Sequence, residues 1–315
     1  MSDNLKGITL MVLAMAGLAG TDTLIKLLAT VMPAPQVIAI LGAGTTVTFT
    51  LAAFLRREPV FSRAFFHPAV LARGLSEGIA GISITASLAL LPISTVSALM
   101  QVNPLLVTLG AALFFGETVG WRRWMAVGLG LLGMLLIIRP GFDPDAAIQA
   151  LTGPHPAPPV FPGGMAGFDP ALLLAVLAAL ALSARDLTTR AAPRHLPSLT
   201  LSAWGFCFVP PAALILLAFW PGGPPQPVSL PTLGLAFIGM LFTVAGYWAL
   251  TASVRVGELS TVAPFRYSRL LFAAIIGLTL FGERPDRWTV IGALLIITAG
   301  LYAFLRENQR QRRAT

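Results

Sequence analysis

Residues 85–117, TASLALLPISTVSALMQVNPLLVTLGAALFFGE, occur a second time in the chain as residues 251–283, TASVRVGELSTVAPFRYSRLLFAAIIGLTLFGE. The two stretches align without a gap at a shift of 166 residues, and ten of the 33 positions are identical. Both end with Phe-Gly-Glu, whose glutamate is predicted to cap the helix that follows. A weaker match upstream, at a shift of 164 residues, places Asp22 opposite Asp186. The chain therefore consists of two homologous halves.

The composition places both halves in a membrane. Of 315 residues, 56% are hydrophobic and 11% are charged, and the mean hydropathy is +0.81. A soluble domain carries about 25% charged residues. A single cysteine, Cys207, excludes a disulfide framework, and with three histidines we expect neither a metal site nor a cofactor. The net charge of +8 does not come from basic patches interleaved with aromatic residues, so no nucleic-acid partner is predicted.

Ten segments are long enough to cross the bilayer. A spanning helix needs about 20 apolar residues, and the segments lack the alternation that a membrane β-barrel requires. We predict an all-α polytopic membrane protein with ten transmembrane helices. The predicted spans are residues 7–29, 36–55, 73–91, 94–115, 121–139, 170–190, 198–219, 231–254, 260–282 and 287–305.

Five spans in each half make the two repeats inverted. An odd number of crossings makes the second half enter the membrane from the opposite side, an architecture common in secondary transporters with a central binding cavity. We assign residues 1–139 to the first five-helix repeat and residues 170–305 to the second. Residues 140–169 form a Pro/Gly-rich linker, and residues 306–315 form a basic tail.

The distribution of lysine and arginine predicts the orientation. Fourteen of these residues lie on one side of the predicted spans, four lie on the other, and three lie within spans. Basic residues accumulate on the cytoplasmic side. We therefore expect both termini to be cytoplasmic and the linker to be extracytoplasmic, in a bacterial inner membrane.

The repeat also carries a family resemblance. The first copy contains Asn103-Pro104 followed by FFGE at 114–117, and the second copy contains LFGE at 280–283. This pattern resembles the repeat signature of the drug/metabolite transporter superfamily, EamA-type. The chain is most similar to the bacterial aromatic amino-acid exporters of the YddG type. This resemblance implies ten helices, a central cavity and export of small metabolites without an ATPase subunit. The second copy departs from the signature at Arg269, where the first has asparagine.

Polar residues within spans are functional candidates because they are costly at membrane depth. In the fourth span, Ser97 and Gln101 share one helical stripe, and Asn103 follows. We assign all three to substrate binding, with hydrogen bonding between helices as the alternative. Proline removes a helical hydrogen bond, so Pro104 and Pro264 are the candidate gating residues.

The ninth span carries two arginines. Arg266 and Arg269 flank Tyr267, which aligns with Gln101 in the repeat. A guanidinium within the membrane needs water, an acid or a ligand, and its fork suits a carboxylate. We therefore predict that one of the arginines binds the substrate carboxylate, with pairing to a protein acid as the alternative.

Aromatic side chains are the candidates for binding a ring in the substrate. Tyr247, Trp248, Trp204 and Tyr267 lie within spans and can stack on an aromatic group. Packing within the bundle and interfacial belts are the alternatives.

Two acids lie at membrane depth. Asp22 and Glu77 are candidate sites for a proton or for a substrate ammonium group. Alternatively, each forms an ion pair one turn away, Asp22 with Lys26 and Glu77 with Arg73.

Together these features predict a secondary transporter that exports small metabolites, with aromatic amino acids preferred, by alternating access. The alternative within the same fold is an exporter of a purine, a sugar, a cationic drug or S-adenosylmethionine. We expect no enzyme activity, because the three histidines lie in connectors and no Gly-x-Ser-x-Gly element occurs in a span. A channel is a further alternative.

Overall fold

The computed structural model describes residues 3–116, 121–138, 171–193, 195–218, 224–256 and 262–314. Within these ranges all regular secondary structure is helical, which confirms the all-α class. The predicted linker, residues 140–169, lies outside the described residues. The α-helices are α1 (Asp3–Leu28), α2 (Ala34–Leu55), α3 (Pro68–Leu90), α4 (Ile93–Met100), α5 (Asn103–Phe115), α6 (Trp121–Ile138), α7 (Ala171–Ala191), α8 (Ser198–Phe206), α9 (Val209–Ala218), α10 (Leu230–Val256), α11 (Ser268–Leu280) and α12 (Arg287–Ala314), with 3₁₀-helices at Arg63–Phe66 and Ala263–Tyr267.

Six segments of the described chain are long and apolar enough to cross a membrane. Two further helices, α6 and α12, contain shorter apolar stretches. These findings establish a multi-helix membrane fold, whereas the total of ten spans remains a prediction. The six segments are Asp3–Leu28, Ala34–Leu55, Ile93–Phe115, Ala171–Ala191, Ser198–Ala218 and Leu230–Leu250.

Two of these segments are interrupted near the middle. The first is broken at Gln101–Val102 between α4 and α5, and the second at Cys207–Phe208 between α8 and α9. Pro104 and Pro210 lie in the first turn of α5 and α9. A proline is tolerated in the first turn because the N–H groups there have no intrahelical acceptor. The bend expected at Pro104 is therefore a helix break just before it, and Pro264 starts the 3₁₀-helix before α11 in the same way.

Among the described helices, four extensive contacts join the two halves: α1 with α10, α3 with α7, α6 with α12, and α2 with the broken segment α8–α9. Glycines allow close approach in two of them. A Cβ atom on Gly17 would lie 3.3 Å from the Cα of Gly246, and one on Gly133 would lie 2.6 Å from the carbonyl oxygen of Gly292. Small residues at such crossings are typical of membrane helices, which associate through close packing.

The two Phe-Gly-Glu copies begin with the same turn. Gly116 and Gly282 both have φ of 63°, the left-handed conformation that commonly ends a helix. In the second copy this turn directs Glu283 towards α4, where it accepts hydrogen bonds from the backbone N–H groups of Ile93 (3.0 Å) and Ser94 (3.4 Å). The prediction that this glutamate caps the following helix is therefore wrong for Glu283. Its equivalent, Glu117, lies outside the described residues.

Candidate functional site

A cavity of about 190 Å³ lies at the centre of the bundle. Its walls come from both halves of the chain: α1, α2 and α3, the break between α4 and α5, and then α7, α10 and α11. Apolar side chains form much of the wall, and polar side chains converge within it. The polar and charged lining residues are Thr21, Asp22, Thr45, Glu77, Thr85, Gln101, Asn103, Arg185, Thr243, Tyr247, Arg266 and Arg269.

Arg185 of α7 is the centre of one polar network in this cavity. Its guanidinium donates to Asp186 Oδ1 at 2.7 and 3.0 Å and to the Tyr247 hydroxyl at 2.7 Å. The Tyr247 hydroxyl donates in turn to Glu77 Oε1 at 3.3 Å. The side-chain amide of Asn103 donates to Asp186 Oδ2 at 3.1 Å. The network thus joins α3, α5, α7 and α10, and charge-assisted hydrogen bonds of this kind are among the stronger ones in proteins.

Arg269 is occupied by a protein acid. Its Nη2 lies 2.7 and 2.9 Å from the two carboxylate oxygens of Asp22, and its Nε lies 3.2 Å from Oδ2. Asp22 is buried, so this bidentate pair compensates its charge. The alternative Asp22–Lys26 pair is not formed, because Lys26 Nζ lies 2.9 Å from Glu283.

Arg266, by contrast, is left without an acceptor. It lines the cavity, yet within the described part of the chain its guanidinium makes no hydrogen bond and no acidic oxygen lies within 4 Å. Among the described residues, the charges on the cavity wall are those of three arginines and two acids, which leaves a surplus of one positive charge. Including the flanking Asp186 and Arg73 leaves this surplus unchanged. The site is therefore suited to an anionic group.

Three buried polar atoms on cavity-lining residues also lack partners among the described residues. They are Glu77 Oε2, Thr85 Oγ1 and Gln101 Nε2. Glu77 nevertheless has two ion-pair partners, because Arg73 Nη2 lies 3.8 Å from its Oε2, as the alternative interpretation of the sequence predicted, and Arg185 Nη1 lies 3.5 Å from its Oε1. Unsatisfied buried polar atoms are rare in folded proteins, and three of the four in the described residues lie on this cavity, which makes it the candidate place for a bound partner.

The cavity brings together most of the polar residues singled out in the sequence. It does not bring together the aromatic ones. Of four aromatic candidates only Tyr247 lines the cavity, and Phe206, a further aromatic residue of the predicted span 198–219, lines it as well. The predicted site residues that line the cavity are Asp22, Glu77, Gln101, Asn103, Pro104, Tyr247, Arg266 and Arg269.

The remaining candidates lie elsewhere. Trp204 donates its indole N–H to the carbonyl oxygen of Val60 at 2.8 Å. Trp248 is 59% exposed on the outer surface of the bundle. Tyr267 packs against α12, where a side chain at Gly300 would overlap its hydroxyl. Ser97 is buried outside the cavity wall.

Equivalent positions in the two halves make equivalent contacts around the cavity. By the alignment of the repeats, the pair Asn103–Asp186 corresponds to the pair Arg269–Asp22. Arg185, one of the three basic residues predicted to lie within spans, corresponds to a threonine, Thr21. The geometry is thus repeated, whereas the charges are not.

Comparisons with known proteins agree on the class of protein. A family model described as the EamA-like transporter family matches residues 5–139 and 169–305. A riboflavin transporter of Rhizobium johnstonii is 30% identical over 230 residues, which are 72% of this chain and 67% of that protein. An S-adenosylmethionine uptake transporter of Rickettsia bellii is 25% identical, over 79% of this chain and 75% of that protein.

Two further matches cover almost the whole chain. The pseudopaline exporter CntI of Pseudomonas aeruginosa is 25% identical over 295 residues, which are 93% of this chain and 94% of the exporter. A crystal structure of a protein aligns with a TM-score of 0.56 at 17% identity, over 96% of both chains. The likeness to this solved structure concerns the fold alone.

Proposed function

Because the chain belongs to the EamA-like transporter family, we propose that it is a secondary transporter that exports a small metabolite bearing a carboxylate through the central cavity. An amino acid is the proposed cargo, with aromatic side chains preferred. Export takes place by alternating access across a bacterial inner membrane, with both termini in the cytoplasm. The relatives are named for three unlike cargoes and for both uptake and export, so the proposal depends on the cavity and on the sequence pattern.

One observation carries the proposal: the Arg266 guanidinium faces the cavity without an acceptor among the described residues. A buried cation is costly unless it is paired, and a guanidinium fork matches a carboxylate. The substrate supplies the missing anion. Glu77 and the side-chain amide of Gln101 line the same cavity and offer acceptor oxygens for an ammonium group. Tyr247 and Phe206 offer ring faces to an aromatic side chain.

The dimensions of the cavity favour a cargo of amino-acid size. Pockets for drug-sized ligands usually have volumes of about 300–1,000 Å³, and this cavity has about 190 Å³. The alternative cargo of a cationic drug would be favoured by a surplus of acid, but the described wall carries three arginines against two acids, and Asp22 is paired with Arg269 at 2.7 Å. Size and charge therefore both favour a small zwitterion.

Contacts between helices support two inverted five-helix repeats. Under the sequence alignment α1 corresponds to α7, α3 to α10, and α6 to α12, so the pairs α1–α10 and α3–α7 are equivalents of each other. The cation contacts correspond as well: Lys26 lies 5.2 Å from the ring centroid of Phe281, and the Arg190 guanidinium lies 5.3 Å from that of Phe115. Halves that can exchange their arrangements give inward-open and outward-open states of similar energy.

Transport into liposomes tests the proposal. Purified protein in liposomes should take up labelled phenylalanine above the level of empty liposomes, and other aromatic amino acids should compete for it. Riboflavin, S-adenosylmethionine, a purine and a sugar serve as competitors for the alternative cargoes. The proposal fails if no amino acid is transported while one of these four is. Rates near free diffusion would instead identify a channel.

A further inference from the structure

A second concavity, here called the outer groove, lies between α2, α8 and α10 on the flank of the bundle. Its volume is about 500 Å³. Phe49, Leu199, Leu241 and Trp248 contribute apolar walls. Leu241 is 49% exposed and Trp248 is 59% exposed. Because α2, α8–α9 and α10 are long and apolar enough to span a membrane, we place this surface in contact with lipid.

Polar groups gather at one end of the outer groove. Arg56 directly follows the last residue of α2, and Ser198 and Ser202 lie in the first turns of α8. Hydrogen bonds hold these two helix ends side by side, because Glu58 accepts from the backbone N–H (3.1 Å) and the hydroxyl (3.0 Å) of Thr200. The polar end of the groove therefore lies where α2 leaves the membrane and α8 enters it.

The opposite end of the outer groove is apolar and lies deeper. Thr48 precedes Arg56 by eight residues, which is about 12 Å along a helix, and its hydroxyl is directed to the carbonyl oxygen of Gly44 at 2.8 Å. Leu241 lies eleven residues before Ala252 on α10, about 16 Å deeper. A molecule that fills the groove must be charged or polar at one end and apolar over more than 10 Å of its length.

Arg56 fixes the sign of the charge on that molecule. The side chain is exposed, and no acidic oxygen of the described residues lies within 4 Å of it. A guanidinium binds phosphate through its planar fork. Basic pockets between membrane helices near the membrane surface bind the head groups of anionic lipids.

We infer that the outer groove binds an anionic phospholipid. The lipid phosphate lies against Arg56, the hydroxyl groups of Ser198 and Ser202 face the head-group region, and one acyl chain follows Leu241 and Trp248. A free phosphate ion would satisfy Arg56 but would leave the apolar walls uncovered.

The outer groove also touches the central cavity, through one residue. Tyr247 lines both spaces. Its ring meets Phe49 edge to face with 6.3 Å between centroids, and its hydroxyl receives the hydrogen bond from Arg185. A lipid in the groove therefore packs against the outer side of the cavity wall.

Native mass spectrometry and thermal unfolding of the full chain in detergent test this inference. Added phosphatidylglycerol should be retained and should raise the unfolding temperature more than phosphatidylcholine does. Arg56→Gln should weaken phosphatidylglycerol binding by about fivefold, the effect of one basic residue near a membrane surface. Arg63→Gln removes the same charge from the 3₁₀-helix outside the groove and is the matched control, which should bind like the wild type.

Several outcomes would overturn the inference. The first is an equal rise in unfolding temperature with both lipids. The second is an equal loss of phosphatidylglycerol binding in Arg56→Gln and Arg63→Gln. The third is a rise in unfolding temperature that inorganic phosphate alone reproduces. Trp248→Ala provides a second variant at the apolar end and should also reduce lipid retention. If neither Arg56→Gln nor Trp248→Ala changes the amount retained, the groove is not the binding site.

Discussion

Arg266 is the residue on which the proposed recognition of a carboxylate depends. In the described part of the chain no acid lies within ion-pair distance of it, so a substrate carboxylate would not have to displace a protein acid. A hydrogen bond to a charged group contributes about 1.5–3 kcal/mol, which corresponds to about 10-fold to 150-fold in affinity. Arg266→Gln should raise the KM for amino-acid uptake by that factor, and Arg266→Lys should raise it less.

Uptake into liposomes at several substrate concentrations measures this effect. Thermal unfolding of each variant checks that the fold is retained. An unchanged KM in Arg266→Gln would show that the carboxylate is held elsewhere.

Arg269 should behave differently, because its role is to compensate Asp22. Breaking a buried ion pair by removing one partner costs about 3–5 kcal/mol. Arg269→Gln should therefore lower the unfolding temperature, and the double variant Asp22→Asn, Arg269→Gln should recover much of the loss. If the double variant is less stable than the single one, the pair is not the source of the stability.

The sequence located these residues without separating their roles. Arg266 and Arg269 lie three residues apart in one span and are equally costly there. The distinction depends on Asp22, which is 247 positions away and reaches only one of them. Tyr247 and Trp248 were likewise equivalent as candidates, but neighbours on a helix face different directions, and only Tyr247 faces the cavity.

At the scale of elements, a single side chain fixes the crossing of α3, α7 and α8. Arg73 of α3 donates to the Thr189 hydroxyl at 2.9 Å and to the carbonyl oxygen of Leu201 at 2.7 Å. The guanidinium lies directly over Gly205, where a Cβ atom would overlap it. The glycine is therefore required by the close approach of a buried charge.

Gly205→Ala should destabilise the protein by about 1–3 kcal/mol, the usual cost of overpacking, and Arg73 should lose hydrogen bonds as it moves. Gly128→Ala is the control, since nothing lies within 4 Å of a Cβ atom at that position. Gly128→Ala should change the free energy of unfolding by no more than about 0.5 kcal/mol. Thermal unfolding in detergent compares them, and equal effects of both changes would contradict the explanation.

The elements themselves were largely predictable, because about 20 apolar residues leave few alternatives to a spanning helix. The predicted span 36–55 corresponds to α2, Ala34–Leu55. The breaks at Gln101–Val102 and Cys207–Phe208 were harder to foresee. A proline permits a kink or a complete break, and the packing of neighbouring helices decides between them.

At the scale of the whole molecule, contacts of Lys26 and Glu283 join the two halves at one end. Lys26 Nζ lies 2.9 Å from Glu283 Oε1 and donates to the carbonyl oxygen of Leu91 at 2.7 Å. Glu283 accepts the backbone N–H of Ile93 at the start of α4. The equivalent cation, Arg190, belongs to the other half, and in inverted repeats it lies at the opposite end of the molecule. The proposed alternating access would therefore require the Lys26–Glu283 contact to open when that end opens.

A weaker Lys26–Glu283 contact should increase the fraction of molecules that are open at this end of the protein. Lys26→Met removes an ion pair whose side chains are 18% and 11% exposed. The pair contributes about 1 kcal/mol, the value for exposed pairs, or more, which corresponds to about fivefold or more in the open population. Ile93 is fully buried beside the pair, so a cysteine at this position reports opening. In a Cys207→Ala background, the cysteine of Ile93→Cys should react with a membrane-impermeant maleimide. The reaction should be about five times faster in Lys26→Met than with Lys26 unchanged. Lys26→Arg keeps the charge and should leave the rate nearly unchanged. Equal rates in all three backgrounds would mean that opening at this end proceeds without breaking the Lys26–Glu283 pair.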